Sequence, residues 1–306
     1  MLVGTAARPN GMSEEKMKFE GAYTALVTPF KADESVDWDR LAELLERQVA
    51  AGIAGVVPVG TTGESPTLDP KEHLEVIRFV IEKTAGRMQV IAGTGGNSTA
   101  EALHLTREAI AMGADASLQV TPYYNKPTQE GLRRHFEAVA DLGKPIVLYN
   151  IPGRSGVEIA VGTVAELSKH PMVQCVKEAG GNVDRVSQIR DVCDLAVLSG
   201  DDALTLPMMA VGAKGVISVV TNVVPDAVAG MVRACLDGRW EEARALHRKW
   251  YRLFKGLFLE TNPIPVKAAM EMAGMGEAAY RLPLCGMGEA AKAKLRGIMG
   301  DLGLLA

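Results

Sequence analysis

Hydrophobic positions along the chain alternate between two patterns. Eight short runs are apolar and rich in β-formers, at residues 22–28, 55–59, 89–93, 116–121, 145–150, 173–178, 195–199 and 215–218. Most lack a polar alternation, as strands buried on both faces do. Between them the apolar residues recur at helical spacing. Leu41, Leu44, Leu45 and Val49 fall on one face of a helix. Asp69-Pro70-Lys71-Glu72 is a helix start, with Asp as the cap and Pro in the first turn. Ser98-Thr99-Ala100-Glu101 reads as a capping box, and Asp201-Asp202 opens another helix. From Pro225 the chain reads as helical almost to its end, punctuated by Pro263, Pro265 and Pro283.

Eight strands alternating with helices predict an α/β fold, the (β/α)8 TIM barrel, with additional C-terminal helices. The expected organisation is a disordered N-terminal extension over residues 1–18, a barrel over 19–240 and a helical region over 241–306. Met12 and Met17 are alternative starts. An open doubly wound sheet is the rival, and it is weaker because no GxGxxG follows the first strand. The segment Gly93-Thr94-Gly95-Gly96 has the wrong spacing for a nucleotide loop. It reads as a place where backbone packs closely against something.

Composition then narrows the function. Lys plus Arg is 33 against 37 Asp plus Glu, a formal charge of −4, which argues against nucleic acid as the main partner. An apolar content of 47% excludes disorder as the main state. No apolar run is long enough to span a bilayer, and the first residues lack the form of a secretory signal. The four cysteines are scattered without a CxxC, so reduced thiols in a cytoplasmic protein are expected. Neither cysteines nor histidines form a metal-binding spacing.

In a barrel of this kind chemistry sits where the strands end at their C-terminal side. Lys177 ends the sixth run, after Val173-Gln174-Cys175-Val176. A buried lysine is rare without a partner or a function. Desolvation lowers its pKa, and the neutral amine can attack a ketone. The plainer reading is a lysine paired with Glu178 or another carboxylate. Tyr149, ending the fifth run, is placed to relay protons. Thr61 and Thr62 offer hydroxyls and main-chain N–H groups, although an ordinary glycine-bounded turn fits them too. Tyr123 and Tyr124 fit loop packing equally well. Arg154 stands in a Pro-Gly-Arg-Ser-Gly loop that suits bidentate binding of a carboxylate, or is a surface arginine.

These segments together resemble one family. GTTGES (60–65), TPYYNKPTQEGL (121–132), YNIPGRSG (149–156), VKEAGG (176–181), SGDD (199–202), GVISV (215–219) and NPIPVK (262–267) are similar to the motifs of the dihydrodipicolinate synthase/N-acetylneuraminate lyase family of pyruvate-dependent class I aldolases. The resemblance runs from about residue 20 to the C-terminus. It implies that Lys177 forms an imine with pyruvate, that Thr62 and nearby main chain hold the pyruvate carboxylate, and that Tyr149, Thr61 and Tyr124 relay protons, Tyr124 across a subunit interface. It implies that Arg154 meets the carboxylate of L-aspartate 4-semialdehyde and that Gly200 and Ile217 line the lysine pocket. The implied product is 4-hydroxy-tetrahydrodipicolinate, on the route to diaminopimelate and lysine. No external cofactor is implied, and the implied assembly is a homotetramer built as a dimer of dimers.

Within the family Gly60-Thr61-Thr62-Gly63-Glu64 is the synthase form of the strand-two motif, where sialic-acid lyases have Ser-Thr. Ser155 departs from a more usual Thr but keeps the hydroxyl. A sugar-acid lyase such as N-acetylneuraminate lyase, and a catalytically silent barrel, are the competing functions. Ser65, His73, Asn97, Glu101 and Tyr123 match the positions of an L-lysine feedback site, with Pro70 replacing a frequent His. Glu101 also fits a plain capping-box residue and His73 a helix-surface histidine.

Overall fold

The computed structural model describes residues 16–306. Eight parallel strands close in sequence order into a barrel: β1 (Gly21–Ala25), β2 (Gly55–Val57), β3 (Gln89–Gly93), β4 (Ala116–Val120), β5 (Ile146–Asn150), β6 (Val173–Glu178), β7 (Ala196–Ser199) and β8 (Gly215–Ser218). The seam joins β1 to β8, with Ala22 opposite Val216 and Tyr23 opposite Ile217. β3, β6 and β8 coincide with the expected runs. The others are one or two residues shorter: β1, β2 and β4 end early, where the last residues of the run leave the sheet to enter the loops that build the site, while β5 and β7 start one residue late.

Helices α1 (Trp38–Ala50), α2 (Pro70–Thr84), α3 (Thr99–Met112), α4 (Gln129–Ala140), α5 (Pro152–Ser155), α6 (Val161–Leu167), α7 (Asp184–Val192), α8 (Thr205–Ala210) and α9 (Pro225–Leu236) surround the strands. Their starts follow capping chemistry. The Asp69 carboxylate accepts from the N–H groups of Lys71 and Glu72 at 2.8 and 2.9 Å. The Ser98 hydroxyl accepts from Glu101 N–H at 3.4 Å. Asp201 caps a 3-10 turn, Asp202–Leu204, that runs straight into α8. α1 buries Leu41, Leu44 and Leu45 against the barrel.

Three further helices follow, α10 (Trp240–Gly256), α11 (Ile264–Met272) and α12 (Glu289–Asp301). The expectation of near-continuous helix after Pro225 is corrected here. Residues 273–288 are non-helical, since Gly274 and Gly276 adopt φ of +70° and +108° and Leu282 precedes a proline. Residues 1–15 of the anticipated extension lie outside the described residues. Met17 and Lys18, assigned to that extension from sequence, are tied to the barrel: the Met17 N–H donates to Gln174 Oε1 at 3.0 Å. Among the described residues no helix is long and apolar enough to cross a membrane.

Candidate active site

β5 and β6 lie side by side with Tyr149 opposite Lys177 and Asn150 opposite Glu178. Successive strand residues point to opposite faces, so the two pairs occupy different environments. Tyr149 and Lys177 share one environment, with the Lys177 ammonium 4.2 Å from the centre of the Tyr149 ring. Asn150 and Glu178 form a second one. Both Glu178 oxygens accept from Asn150 Nδ2 at 3.0 Å, and Glu178 pairs with the buried Arg185 at 3.1 Å. The Lys177–Glu178 pairing considered from sequence is therefore overturned. Glu178 spends its charge on Arg185.

Burial lowers the Lys177 pKa to about 7, the strongest influence on it, while the Asp202 carboxylate opposes that shift and Arg154 adds to it. Asp202 is itself buried and pushed up to about 6. It accepts from the Ser218 hydroxyl and from Val219 N–H at 3.0 Å, which fixes the start of the β8 loop. Gly200 follows β7. A Cβ there would lie 2.6 Å from the Ala179 Cβ and 3.1 Å from the Lys177 Cε, so only glycine leaves the lysine its place. Tyr149 is pushed up to about 12 by burial, with the Arg154 charge and then the Thr61 hydroxyl pulling the other way. At neutral pH it is a protonated phenol.

Thr61, Ser65, Tyr123, Tyr124, Tyr149 and Arg154 line one open cavity of about 370 Å³ at the C-terminal end of the barrel. Thr62 sits beside it, buried, and its hydroxyl accepts from Asn262 Nδ2 at 3.0 Å. The exposed Arg154 donates one Nη2–H to the Asn262 carbonyl at 3.0 Å. Its guanidinium is thus oriented at the cavity mouth by a single main-chain contact. Ser155 is buried and donates to the Val157 and Ile151 carbonyls at 2.7 and 3.0 Å. Lys177, Gly200 and Ile217 are not part of this cavity's wall; Lys177 lies next to it against the Tyr149 ring, and Ile217 is buried in β8. Tyr124 stands at φ +71° with 90% of its surface exposed, which throws the ring outward.

The Gly93–Gly96 segment is a close backbone crossing: a Cβ at Gly95 would fall 2.4 Å from the Val120 amide nitrogen. Next to it, His73 is buried and its Nε2 lies 2.8 Å from the Gly93 carbonyl. Burial holds its pKa below the usual histidine range. The reading of His73 as a helix-surface histidine is corrected accordingly. The Asn97 carbonyl accepts from Asn125 at 2.8 Å. Glu101 is exposed, and its charge together with burial raises the Tyr123 pKa, burial being the larger effect. Of the positions matched to a feedback site, Ser65 and Tyr123 share the cavity wall, and Glu101 lies within electrostatic reach of Tyr123.

Two residues of the site have no site role in the sequence analysis: Asp202 stands in SGDD and reads only as a helix opener, and Asn262 opens NPIPVK. The acidic doublet after a strand was a usable signal. For Asn262 there was none, because its partner Thr62 is 200 positions away.

A closed parallel barrel with a cavity and a desolvated lysine at the C-terminal strand ends is the architecture of a barrel enzyme. The sequence matches the model of the Dihydrodipicolinate synthetase family over residues 18–301. A 4-hydroxy-tetrahydrodipicolinate synthase of Methanococcus vannielii is 50% identical over 288 residues, covering 94% of this chain and 99% of that one. The crystal structure of dihydrodipicolinate synthase from Aquifex aeolicus superposes with a TM-score of 0.92 at 50% identity, over 94% and 99% of the two chains. The Acinetobacter baumannii enzyme complexed with pyruvate gives 0.92 at 41% identity, over 94% and 100%. The chain belongs to the dihydrodipicolinate synthetase family.

Proposed function

We infer that this protein is a 4-hydroxy-tetrahydrodipicolinate synthase, a lyase that condenses pyruvate with L-aspartate 4-semialdehyde in diaminopimelate and lysine biosynthesis. Synthases at about half identity over nearly the whole chain support the activity. One observation carries the chemistry: a buried lysine, with its pKa brought to about 7, lying against a protonated tyrosine.

The neutral Lys177 amine attacks C2 of pyruvate, and loss of water from the carbinolamine gives the imine. Tyr149, with Thr61 as its neighbour, delivers and collects the protons these steps move. The Thr62 hydroxyl and the adjacent main chain hold the pyruvate carboxylate. Removal of a proton from C3 makes an enamine, and that carbon attacks the aldehyde. The Arg154 guanidinium at the cavity mouth binds the carboxylate of the semialdehyde, which aims the aldehyde inward. The amino group of the condensed product then attacks C2 and expels Lys177, closing the ring. One water is released overall. Gly200 keeps the space the lysine needs, and Ile217 supports the pocket from β8.

The outward ring of Tyr124 fits a role in the relay of a neighbouring subunit within a homotetramer, a dimer of dimers. The set Ser65, His73, Asn97, Glu101 and Tyr123 is our proposed site for L-lysine as feedback inhibitor, and titration with lysine tests it: no heat and no loss of rate would remove it. We assign the enzyme to the cytoplasm.

The deciding experiment is turnover of pyruvate with L-aspartate 4-semialdehyde, coupled to dihydrodipicolinate reductase, with N-acetylmannosamine as the competing acceptor. Turnover with the semialdehyde alone is expected. Turnover with N-acetylmannosamine alone would make the protein a sugar-acid lyase, and turnover with neither would overturn the substrate assignment.

A further inference from the structure

The loop that presents Thr61 and Thr62 is bent against its own backbone preferences. Val59 has φ +48° and Glu64 has φ +56°, left-handed values that are unfavourable for residues with a side chain and persist only where the surroundings over-determine them. The Thr28 hydroxyl, donating to the Gly63 carbonyl at 2.7 Å, and the Gly93 N–H, donating to the Pro58 carbonyl at 3.0 Å, do part of this, and further groups come from the far end of the chain. Asn262 donates to the Thr62 hydroxyl at 3.0 Å. Lys267 on α11 ion-pairs with Glu64, and both side chains are almost wholly buried. The Lys267 ammonium also donates to the Ala279 carbonyl at 3.0 Å and lies 4.2 Å above the Phe30 ring. Arg281 then grips the turn just beyond, donating to the Thr67 carbonyl at 2.9 Å and to both Glu72 oxygens at 2.7 and 2.8 Å.

Among the described residues, Lys267 is the only cation within ion-pairing distance of Glu64. A buried ion pair is a poor device for stability alone, since apolar residues of similar volume serve as well. What it supplies here is a fixed direction at a strained residue two positions after Thr62. We infer that residues 262–281 form a positioning clamp, in which the buried Lys267–Glu64 pair and Arg281 hold the strand-two loop so that Thr61 and Thr62 face the substrate. The clamp gives α11 and the loop after it, which lie outside the barrel, a part in the working enzyme. It rests on the assignment of Thr61 and Thr62 to the pyruvate end of the site.

The test uses the full chain with Lys267→Met, Arg281→Lys and the neutral pair Glu64→Gln/Lys267→Met. Two readouts are taken: amide hydrogen exchange of residues 59–68 against β5, and steady-state kinetics with pyruvate. In Lys267→Met, exchange in 59–68 should accelerate about tenfold or more while β5 is unchanged. Its kcat/KM for pyruvate should fall by about tenfold to a hundredfold, the usual effect of a displaced catalytic group. The neutral pair should recover part of both losses. Arg281→Lys keeps the charge but loses the two-pronged grip, and should show a smaller change in the same direction. If Lys267→Met does not fold, the neutral pair and Arg281→Lys carry the test. Folded variants with unchanged loop exchange and pyruvate kinetics would overturn the clamp, and so would exchange that rises equally in β5. Failure of the unaltered chain to use pyruvate would instead overturn the functional reading, and the exchange data would then decide the clamp by themselves.

Discussion

Lys177 shows how one residue can be legible in sequence while its surroundings are not. A lysine after Val-Gln-Cys-Val at a strand end reads as buried, and it is. The sequence left Glu178 open as its partner, and only the fold places Glu178 on the opposite face against Arg185. The pKa gives a prediction with a definite sign. The folded value, about 7, lies below the ordinary 10.5. Between these values the unfolded chain holds a proton that the folded chain has released, so stability rises with pH across that window. Below pH 7 both states are protonated, and a net penalty of about 5 kcal/mol from the size of the shift, burial offset in part by Asp202, weighs on the fold. Lys177→Met should therefore be more stable than the unaltered chain in urea at pH 6, with the advantage shrinking toward pH 10. Equal midpoints at pH 6 would mean that the amine is not desolvated. By the same titration, kcat/KM for pyruvate should climb as pH passes about 7 and then level off. Gly200→Ala places a methyl 3.1 Å from the Lys177 Cε and 2.6 Å from the Ala179 Cβ. Activity should fall about a hundredfold, the cost of misplacing a catalytic group by around an ångström. Borohydride trapping of pyruvate would report whether the imine is lost with it.

At the scale of elements, the strand and helix starts were readable because they depend on neighbours in sequence. Asp69, Ser98 and Asp201 cap the segments that their local chemistry announces. The break at residues 273–288 was legible in principle, since Gly274, Gly276 and Pro283 are local stop signals, but the apolar residues between them continue a helical spacing and outweighed those signals. What locks β5 to β6 was also invisible. Glu178 on β6 accepts from Asn150 on β5 and from Gly180 N–H at 2.7 Å, and it neutralises Arg185, which in turn donates to the Ile159 carbonyl at 2.8 Å. This cluster holds the back of the two strands whose fronts carry Tyr149 and Lys177. Glu178→Gln keeps the shape but leaves the buried Arg185 with only the half-exposed Glu158, at 3.4 Å, as counterion; breaking a buried pair costs about 3–5 kcal/mol, and Glu158 should hold the loss to the lower part of that range or below it. Chemical denaturation should show that loss. Glu166→Gln, which breaks an exposed pair with Lys169, is the control and should leave stability essentially unchanged. Equal behaviour of the two variants would show that the cluster is not an element-level lock.

At the scale of the whole molecule, the barrel was legible because eight apolar runs alternating with amphipathic segments leave few other ways to bury the strands. Contacts between distant parts were not, since no local pattern joins Thr62 to Asn262 or Arg281 to Glu72. The assembly is a further step removed. Tyr124 exposes 90% of its surface beside the cavity of its own chain, an unusual place for an aromatic residue of a catalytic loop. If its hydroxyl completes the relay of a neighbouring copy, the defects of two variants should complement one another. Tyr124→Phe keeps Lys177 but offers its partner no phenol, and Lys177→Ala keeps the phenol but has no amine. In a two-fold dimer of one chain of each kind, one of the two sites receives both groups. Random exchange of subunits makes half the dimers mixed, so the mixture should regain about a quarter of the unaltered activity. Each variant alone should stay well below that level. Mass spectrometry of the intact assembly verifies that hybrids have formed. Hybrids with no more activity than the average of the two parents would place Tyr124 in its own chain's site, and the outward ring would then need another explanation.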